Sequence, residues 1–242
     1  MDFTEFFSVY QSIMQQNDFA AYADEASAKR FHDLTARMLE INEKMNLTAI
    51  KEESAIILLH YADSLTASQF LPQNARVADI GCGAGFPCLP LAICRPDLQI
   101  TAIDSTEKRI RYVAETASLL NCDNLTAVAM RAEEGGQGRY REQFDVCTAR
   151  AVAALPLLAE LCLPYVRVGG TFLAMKGKKG EEELAQAATA IKRLGGECTK
   201  LHAVTLRGGK EEETRYLIEI KKVRATPAEF PRPWAKILKK PL

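Results

Sequence analysis

The sequence predicts a doubly wound α/β fold: a seven-stranded mixed sheet, mostly parallel, ending in a C-terminal antiparallel hairpin and preceded by an N-terminal helical extension. Three observations carry that prediction. From Arg76 onward, short runs rich in Val, Ile and Thr alternate with stretches long enough for crossover helices. Near-continuous apolar strands of this kind belong in a parallel sheet covered on both faces. The last two runs are joined by Arg207-Gly208-Gly209-Lys210, which is too short for a crossover helix, so they pair antiparallel. Residues 1–70, by contrast, show little β-branched alternation and several helical periodicities.

Taken in order, the best helical stripe is Phe31, Leu34, Met38, Ile41 and Met45, at spacings of three and four, one face of an amphipathic helix. Ser27 is its expected N-cap and Asn46 its expected left-handed end. The stripe is expected to pack on a neighbouring domain. The texture changes after Leu71-Pro72, dividing the chain into an extension over 1–70 and an α/β domain over 71–242. Strands are expected at Val77–Ile80, Ile100–Ile103, Leu125–Met130, Phe144–Thr148, Gly170–Met175, Leu201–Leu206 and Arg215–Val223. Thr106–Leu120 and Val152–Val166 are long enough for crossover helices.

The composition sets limits on partners. The 242 residues, 48% hydrophobic and 26% charged, suffice for a sizeable core. Lys plus Arg is 31 and Asp plus Glu is 31, so no whole-molecule field draws the chain to nucleic acid or an anionic membrane. A polyanionic partner must be held by local basic patches. The seven cysteines are an odd number with no C-x-x-C pair, which reads as reduced thiols in a cytoplasmic protein. An acidic start, Met1-Asp2-Phe3-Thr4-Glu5, and the lack of a long apolar run argue against export and against a membrane span. His32, His60 and His202 show no metal-ligand spacing with one another or with cysteine, so no metal site is expected.

The most informative segment is Val77-Ala78-Asp79-Ile80-Gly81-Cys82-Gly83-Ala84-Gly85-Phe86-Pro87, a strand that runs into three alternating glycines. A dinucleotide fingerprint requires G-x-G-x-x-G, but the sixth position counted from Gly81 is Phe86, and from Gly83 it is Cys88. The pyrophosphate template therefore fails. An acidic residue, Asp79, before a G-x-G-x-G turn is the form used by class I methyltransferases that bind S-adenosylmethionine (SAM). A second strand ends at Asp104, 23 residues beyond Gly81, near the spacing of a carboxylate that accepts from ribose hydroxyls. A third ends at Met130-Arg131-Ala132-Glu133, where Ala132 offers a wall and an amide to adenine and Glu133 an acceptor for its amine. Three strand tips converge on one crevice, and SAM is the expected cofactor.

The residues also resemble a particular family over nearly the full length, the bacterial small-subunit (16S) ribosomal RNA guanine-N7 methyltransferases (RsmG, formerly GidB). The resemblance rests on Asn46-Leu47-Thr48-Ala49-Ile50, on His60-Tyr61-Ala62-Asp63-Ser64-Leu65, on the glycine loop, and on Asp104-Ser105 with Lys108-Arg109. Further matches are Ala149-Arg150-Ala151-Val152-Ala153, Lys176-Gly177 and the tail from Thr226-Pro227 through Phe230-Pro231-Arg232 to Pro241-Leu242. The chain departs from the family at Cys88 and Ala235, where glycines are usual. The resemblance implies SAM contacts at Gly81, Phe86, Ala132, Glu133 and Arg150, and the spacing argument adds Asp79, Gly83, Gly85 and Asp104. Arg150 has two readings, an anchor for the SAM carboxylate or a phosphate clamp, and the first is preferred.

The resemblance implies methylation of guanine N7 in 16S ribosomal RNA; a ribosomal particle is the favoured form of the substrate, and a monomer is favoured for the enzyme. N7 carries a lone pair and no proton, so no catalytic base is expected. Lys176, Lys178 and Lys179 after the fifth strand and Arg232 in the tail are candidate RNA contacts, with Phe230 and Trp234 as stacking platforms. Lys108, Arg109 and Arg111 are a weaker cluster. His60 with Asp63, at i and i+3, reads as a local hydrogen bond tying the extension to the α/β domain, or as a wall of the RNA site. Methylation of a small molecule or protein, and a non-catalytic RNA-binding or assembly factor, are the alternatives.

Overall fold

The computed structural model describes all 242 residues. Seven strands form one sheet: β1 Arg76–Ile80, β2 Gln99–Asp104, β3 Leu125–Ala129, β4 Phe144–Arg150, β5 Val166–Lys176, β6 Gly196–Leu206 and β7 Glu213–Lys222. Their order is β3-β2-β1-β4-β5-β7-β6. The first five pair in parallel, while β7 lies antiparallel between β5 and β6. All seven expected strands are present, and the expected hairpin closes the sheet. Chain order reverses between β1 and β4, the switch point at which open α/β sheets bind ligands.

Helices cover both faces. In the extension these are α1 Phe3–Gln16, α2 Glu25–Met45, and α3 Glu53–Ile56, which continues through a π-helical turn at Ile57–Ala62 into α4 Asp63–Leu65. Within the α/β region lie α5 Cys88–Cys94, α6 Glu107–Leu119, α7 Ala132–Gln137, α8 Leu155–Cys162, α9 Gly180–Arg193 and α10 Trp234–Lys239. No helix is long and apolar enough to cross a membrane.

The period-two alternation of the strands sorts side chains into two cores. Val77, Ile100, Ala102, Val146, Leu173 and Leu217 join one, with Phe31, Leu34, Met38, Leu89 and Val113. Ala78, Ile80, Ile103, Cys147, Phe172 and Ile218 join the other, with Leu158, Ala187 and Ile237. The apolar stripe of α2 thus packs on the sheet's helices as expected. Residues on both sides of position 70 share that first core, so the extension adds a layer to the domain. Arg30 reinforces it, donating to the carbonyls of Ile93 and Leu120.

One cap differs from expectation. Helix α2 begins at Glu25, and Asp24, not Ser27, is the N-cap: its carboxylate accepts from the Ser27 amide at 2.9 Å. An Asp three positions upstream reaches that amide with full charge, which a serine hydroxyl cannot match at a helix N-terminus. Asn46 does close the helix in the left-handed region, at φ 48°. All seven cysteines are unpaired.

Candidate active site

The glycine turn leaves β1 at the switch point. The Gly81 amide donates to the Ile103 carbonyl at 2.7 Å, which binds the turn to the end of β2. Gly81, Gly83 and Gly85 all have positive φ, 71°, 55° and 89°, where side chains are disfavoured. A Cβ on Gly81 would lie 2.5 Å from Val152, and one on Gly85 2.3 Å from Leu89. At Gly83 there is open space, with only the Gly81 carbonyl oxygen near, at 3.9 Å. Conformation alone demands glycine there.

Asp104 organises the rim. One carboxylate oxygen accepts from the Gly83 amide at 3.0 Å and the other from the Thr106 amide at 2.8 Å. The residue is buried, and each oxygen keeps a lone pair for a ligand hydroxyl. Asp79 lies beneath the turn, not in its mouth. It is buried, and accepts from the Cys88 amide at 3.2 Å and the Thr148 hydroxyl at 3.2 Å. Burial pushes its carboxyl up to about 6, against the hydrogen bonds from Cys88 and Thr148. It therefore acts on a ligand only through the loop it supports. Cys88, where a glycine was usual, is accommodated fully buried at the start of α5.

A crevice of about 300 Å³ opens where these strands end, lined by Gly81, Asp104, Ala132, Glu133, Arg109 and Trp234 among others. Asp104, added from spacing, is thus brought together with Gly81, Ala132 and Glu133, which the resemblance implied. Gly83 and Gly85 shape the turn without lining the crevice. Their neighbour Phe86 is buried and stacks on His60, with ring centroids 4.6 Å apart. A carboxylate for ribose, a backbone turn for the amino-acid end and an apolar wall beside Glu133 suit an adenosyl amino acid.

A second cavity, of about 400 Å³, adjoins the first. Its lining includes His60, Asp63, Arg150, Lys176, Glu183 and Arg215. Ala151, just beyond the end of β4, lines both cavities, and it holds φ 56° although it is not glycine. Residues held in that region cluster at functional sites.

Arg150 faces this second cavity, with its guanidinium engaged. Nη1 donates to Asp63 at 2.7 Å and to the Leu59 carbonyl at 3.0 Å, and the guanidinium lies over the Phe86 ring at 5.2 Å. Arg215 approaches the other Asp63 oxygen at 3.3 Å. His60 is held by Thr48 at 2.8 Å through Nε2 and meets Arg150 at 3.4 Å through Nδ1. Because arginine only donates, Nδ1 accepts and Nε2 carries the proton. Burial, aided by the Arg150 charge, lowers the imidazole to about 4, so His60 is neutral near pH 7. His60 does tie the extension to the domain, but through Thr48, Arg150 and Phe86. The expected His60 to Asp63 bond is absent because two arginines occupy Asp63.

Two of the expected RNA-binding cations are corrected. Lys176 is buried, paired with Glu183 at 2.7 Å and donating to the Ala153 carbonyl at 2.7 Å. Arg232 is bound to Glu160, whose side chain is 0% exposed, at 2.8 and 2.6 Å. A buried carboxylate demands a partner, and that demand takes Arg232 out of the pool of surface cations. Lys178 and Lys179 stay exposed. Phe230 is buried and offers no stacking surface. Trp234 turns toward the crevice instead. Glu183 and Arg215 escaped the sequence reading, and the ion pairs of Asp63 did too, since partners lie up to 152 positions away along the chain, as Arg215 does from Asp63.

Solved structures with the same fold include TYW2 from M. jannaschii in complex with AdoMet, with a TM-score of 0.54 at 12% identity over 66% of this chain and 74% of that one. Another is a SAM dependent methyltransferase from Aquifex aeolicus, with a TM-score of 0.53 at 16% identity over 77% of this chain and 97% of that one. With a glycine turn and the Asp104 carboxylate at the switch point, and with the relatives that follow, the protein is a class I SAM-dependent methyltransferase. The family model for rRNA small subunit methyltransferase G matches residues 27–212. Ribosomal RNA small subunit methyltransferase G of Macrococcus caseolyticus is 46% identical over 84% of this chain and 86% of its own length. The protein of that name from Staphylococcus aureus is 43% identical over 86% and 87%. The chain belongs to the rRNA small subunit methyltransferase G family.

Proposed function

We propose that the protein methylates N7 of a guanine in small-subunit ribosomal RNA, with the base entering the cavity that adjoins the cofactor crevice. The observation that carries this reading is the meeting of the two cavities at Ala151. Direct transfer needs donor and acceptor in contact and in line, and orientation of that kind is worth roughly 7–11 kcal/mol. When bound, SAM supplies an electrophilic sulfonium methyl group. Asp104, Ala132, Glu133 and the turn from Gly81 to Gly85 would hold it. Phe86, stacked on His60, braces the turn from the acceptor side.

Guanine N7 has an in-plane lone pair and no proton. Its bond to the methyl carbon forms as the carbon–sulfur bond breaks, and no proton has to leave. The occupied state of the lining groups supports this base-free chemistry. Both His60 nitrogens are engaged, and Asp63 and Glu183 are ion-paired. Lys178 and Lys179, exposed beside Lys176 and Gly177 of the cavity wall, would meet phosphates. A chain of zero formal charge has no long-range pull on free RNA, which favours a ribosomal particle as the substrate. Within this reading the enzyme is a monomer in the cytoplasm.

Borohydride reduction and aniline cleavage of small-subunit RNA, from cells with and without the gene, test the reading. One gene-dependent break at a single guanosine is expected. A gene-dependent methyl group on a 2′-hydroxyl, on a ring nitrogen that must first lose a proton, on a protein or on a small molecule would overturn it. So would the absence of any gene-dependent methyl group.

A further inference from the structure

The chain's one tryptophan lies in its C-terminal tail, where the sequence suggests an RNA platform. The geometry turns it the other way. Trp234 lines the cofactor crevice with Met130, Arg131, Ala132 and Glu133, the residues that join β3 to α7. The Arg131 guanidinium lies 5.8 Å from the indole centroid and also donates to Glu133 at 3.0 Å. One arginine thus links the tryptophan to the carboxylate that faces the adenine amine in the SAM reading.

The tail is built to hold that ring in place. Two positions before it, Arg232 clasps the buried Glu160 through its side chain and through its own amide at 2.9 Å. Three positions after it, Ile237 is fully buried in the second core. Upstream, Arg141 donates to the carbonyls of Phe230, Thr226 and Pro227, and Gln137 to that of Pro231 at 2.9 Å. These anchors fix the irregular segment that leads into α10, and α10 itself, around a half-buried indole. A solvated tail would need none of them, and an RNA platform would face outward.

We propose that Trp234 is the stacking wall for the adenine ring of the donor, which makes the pinned C-terminal tail part of the cofactor site. The inference rests on the SAM reading of the crevice, and is independent of which RNA atom receives the methyl group. Aromatic faces bind nucleobases by stacking with little demand on hydrogen-bond pattern. Glu133 and the Ala132 amide would then read the edge of the base while Trp234 covers its face.

Because no other tryptophan contributes, emission at 295 nm excitation reports on this residue alone. Titration of the full chain with S-adenosylhomocysteine should change that emission saturably, with a midpoint equal to the calorimetric Kd. Adenosine should give the same kind of change and homocysteine none. By calorimetry, Trp234→Phe should keep S-adenosylhomocysteine affinity within about threefold, and Trp234→Ala should lose about tenfold or more. Heat of binding with unchanged emission, or equal affinity in Trp234→Ala, would overturn the proposal, as would emission that answers only to RNA. A wild-type chain giving no heat with S-adenosylhomocysteine would strike the SAM reading itself, which separates the two failures.

Discussion

The two adjoining cavities are built in opposite ways. The cofactor crevice is assembled from strand tips, and its geometry is backbone geometry: positive φ angles at three glycines and amides that point at Asp104. The neighbouring cavity is assembled from side chains on α4, the preceding π-helical turn, β4, β5, α9 and β7, locked by ion pairs. The first depends on what a few consecutive residues can adopt. The second depends on the whole fold bringing distant charges together. Substitutions should therefore fail differently in the two, by loss of binding in the crevice and by loss of stability in the cavity.

The largest effect is expected at Gly83. Nothing near would clash with a side chain there, so the penalty of Gly83→Val is conformational: a β-branched residue forced to φ near 55°. Relaxing the backbone moves the amide that donates to Asp104, and the turn and the ribose carboxylate lose their shared position. Calorimetric binding of S-adenosylhomocysteine should fall below detection while circular dichroism stays native. Gly83→Ala, which pays only about 1–2 kcal/mol for the left-handed region, should bind with intermediate affinity. Unchanged affinity in Gly83→Val would remove the backbone account of the crevice.

That contrast also explains what the sequence showed. The seven strands, the hairpin and Asn46 as helix end were legible because each follows from local pattern. So were Gly81, Asp104, Ala132 and Glu133, which lie at strand ends and inherit their convergence from the doubly wound topology. Lys176 and Arg232 were misread because, along the chain, a free charge is indistinguishable from one that will be engaged by Glu183 or by the buried Glu160. Trp234 was legible as an exceptional residue but not as an inward-facing one. Its direction is set by Arg232 and Ile237 anchoring the tail on either side.

The next effect belongs to the second cavity. Asp63 is buried and serves both Arg150 at 2.7 Å and Arg215 at 3.3 Å. Asp63→Asn leaves Arg150 without a counter-charge and Arg215 with Glu213 alone, and breaking a buried pair costs about 3–5 kcal/mol. The urea midpoint should drop accordingly with little change in m. In the folded fraction, S-adenosylhomocysteine affinity should stay within about threefold, since Asp63 touches nothing that lines the crevice except through Arg150. A loss of affinity as large as the loss of stability would mean the two cavities are one electrostatic unit, and the comparison would collapse.

The smallest effect is expected from the lysines at the cavity's edge, where the distinction is between a cation that is exposed and one that is spent. Lys178 and Lys179 are exposed in the turn between β5 and α9, two and three positions beyond the buried Lys176. Replacing both with alanine should lower affinity for small-subunit RNA several-fold. Each phosphate contact contributes about 0.7–0.9 to the slope of log affinity against log salt, so losing two should flatten that slope by about 1.4–1.8. S-adenosylhomocysteine affinity should not change, because neither residue lines the crevice. Lys176→Ala is the internal control: its ammonium is held by Glu183 and the Ala153 carbonyl, so stability should fall while the salt slope stays as it was. If the double variant kept its slope and Lys176→Ala lost it, burial would not be what removes a cation from RNA binding. The exposed tail lysines Lys236, Lys239 and Lys240 would take the role if neither variant moved the slope.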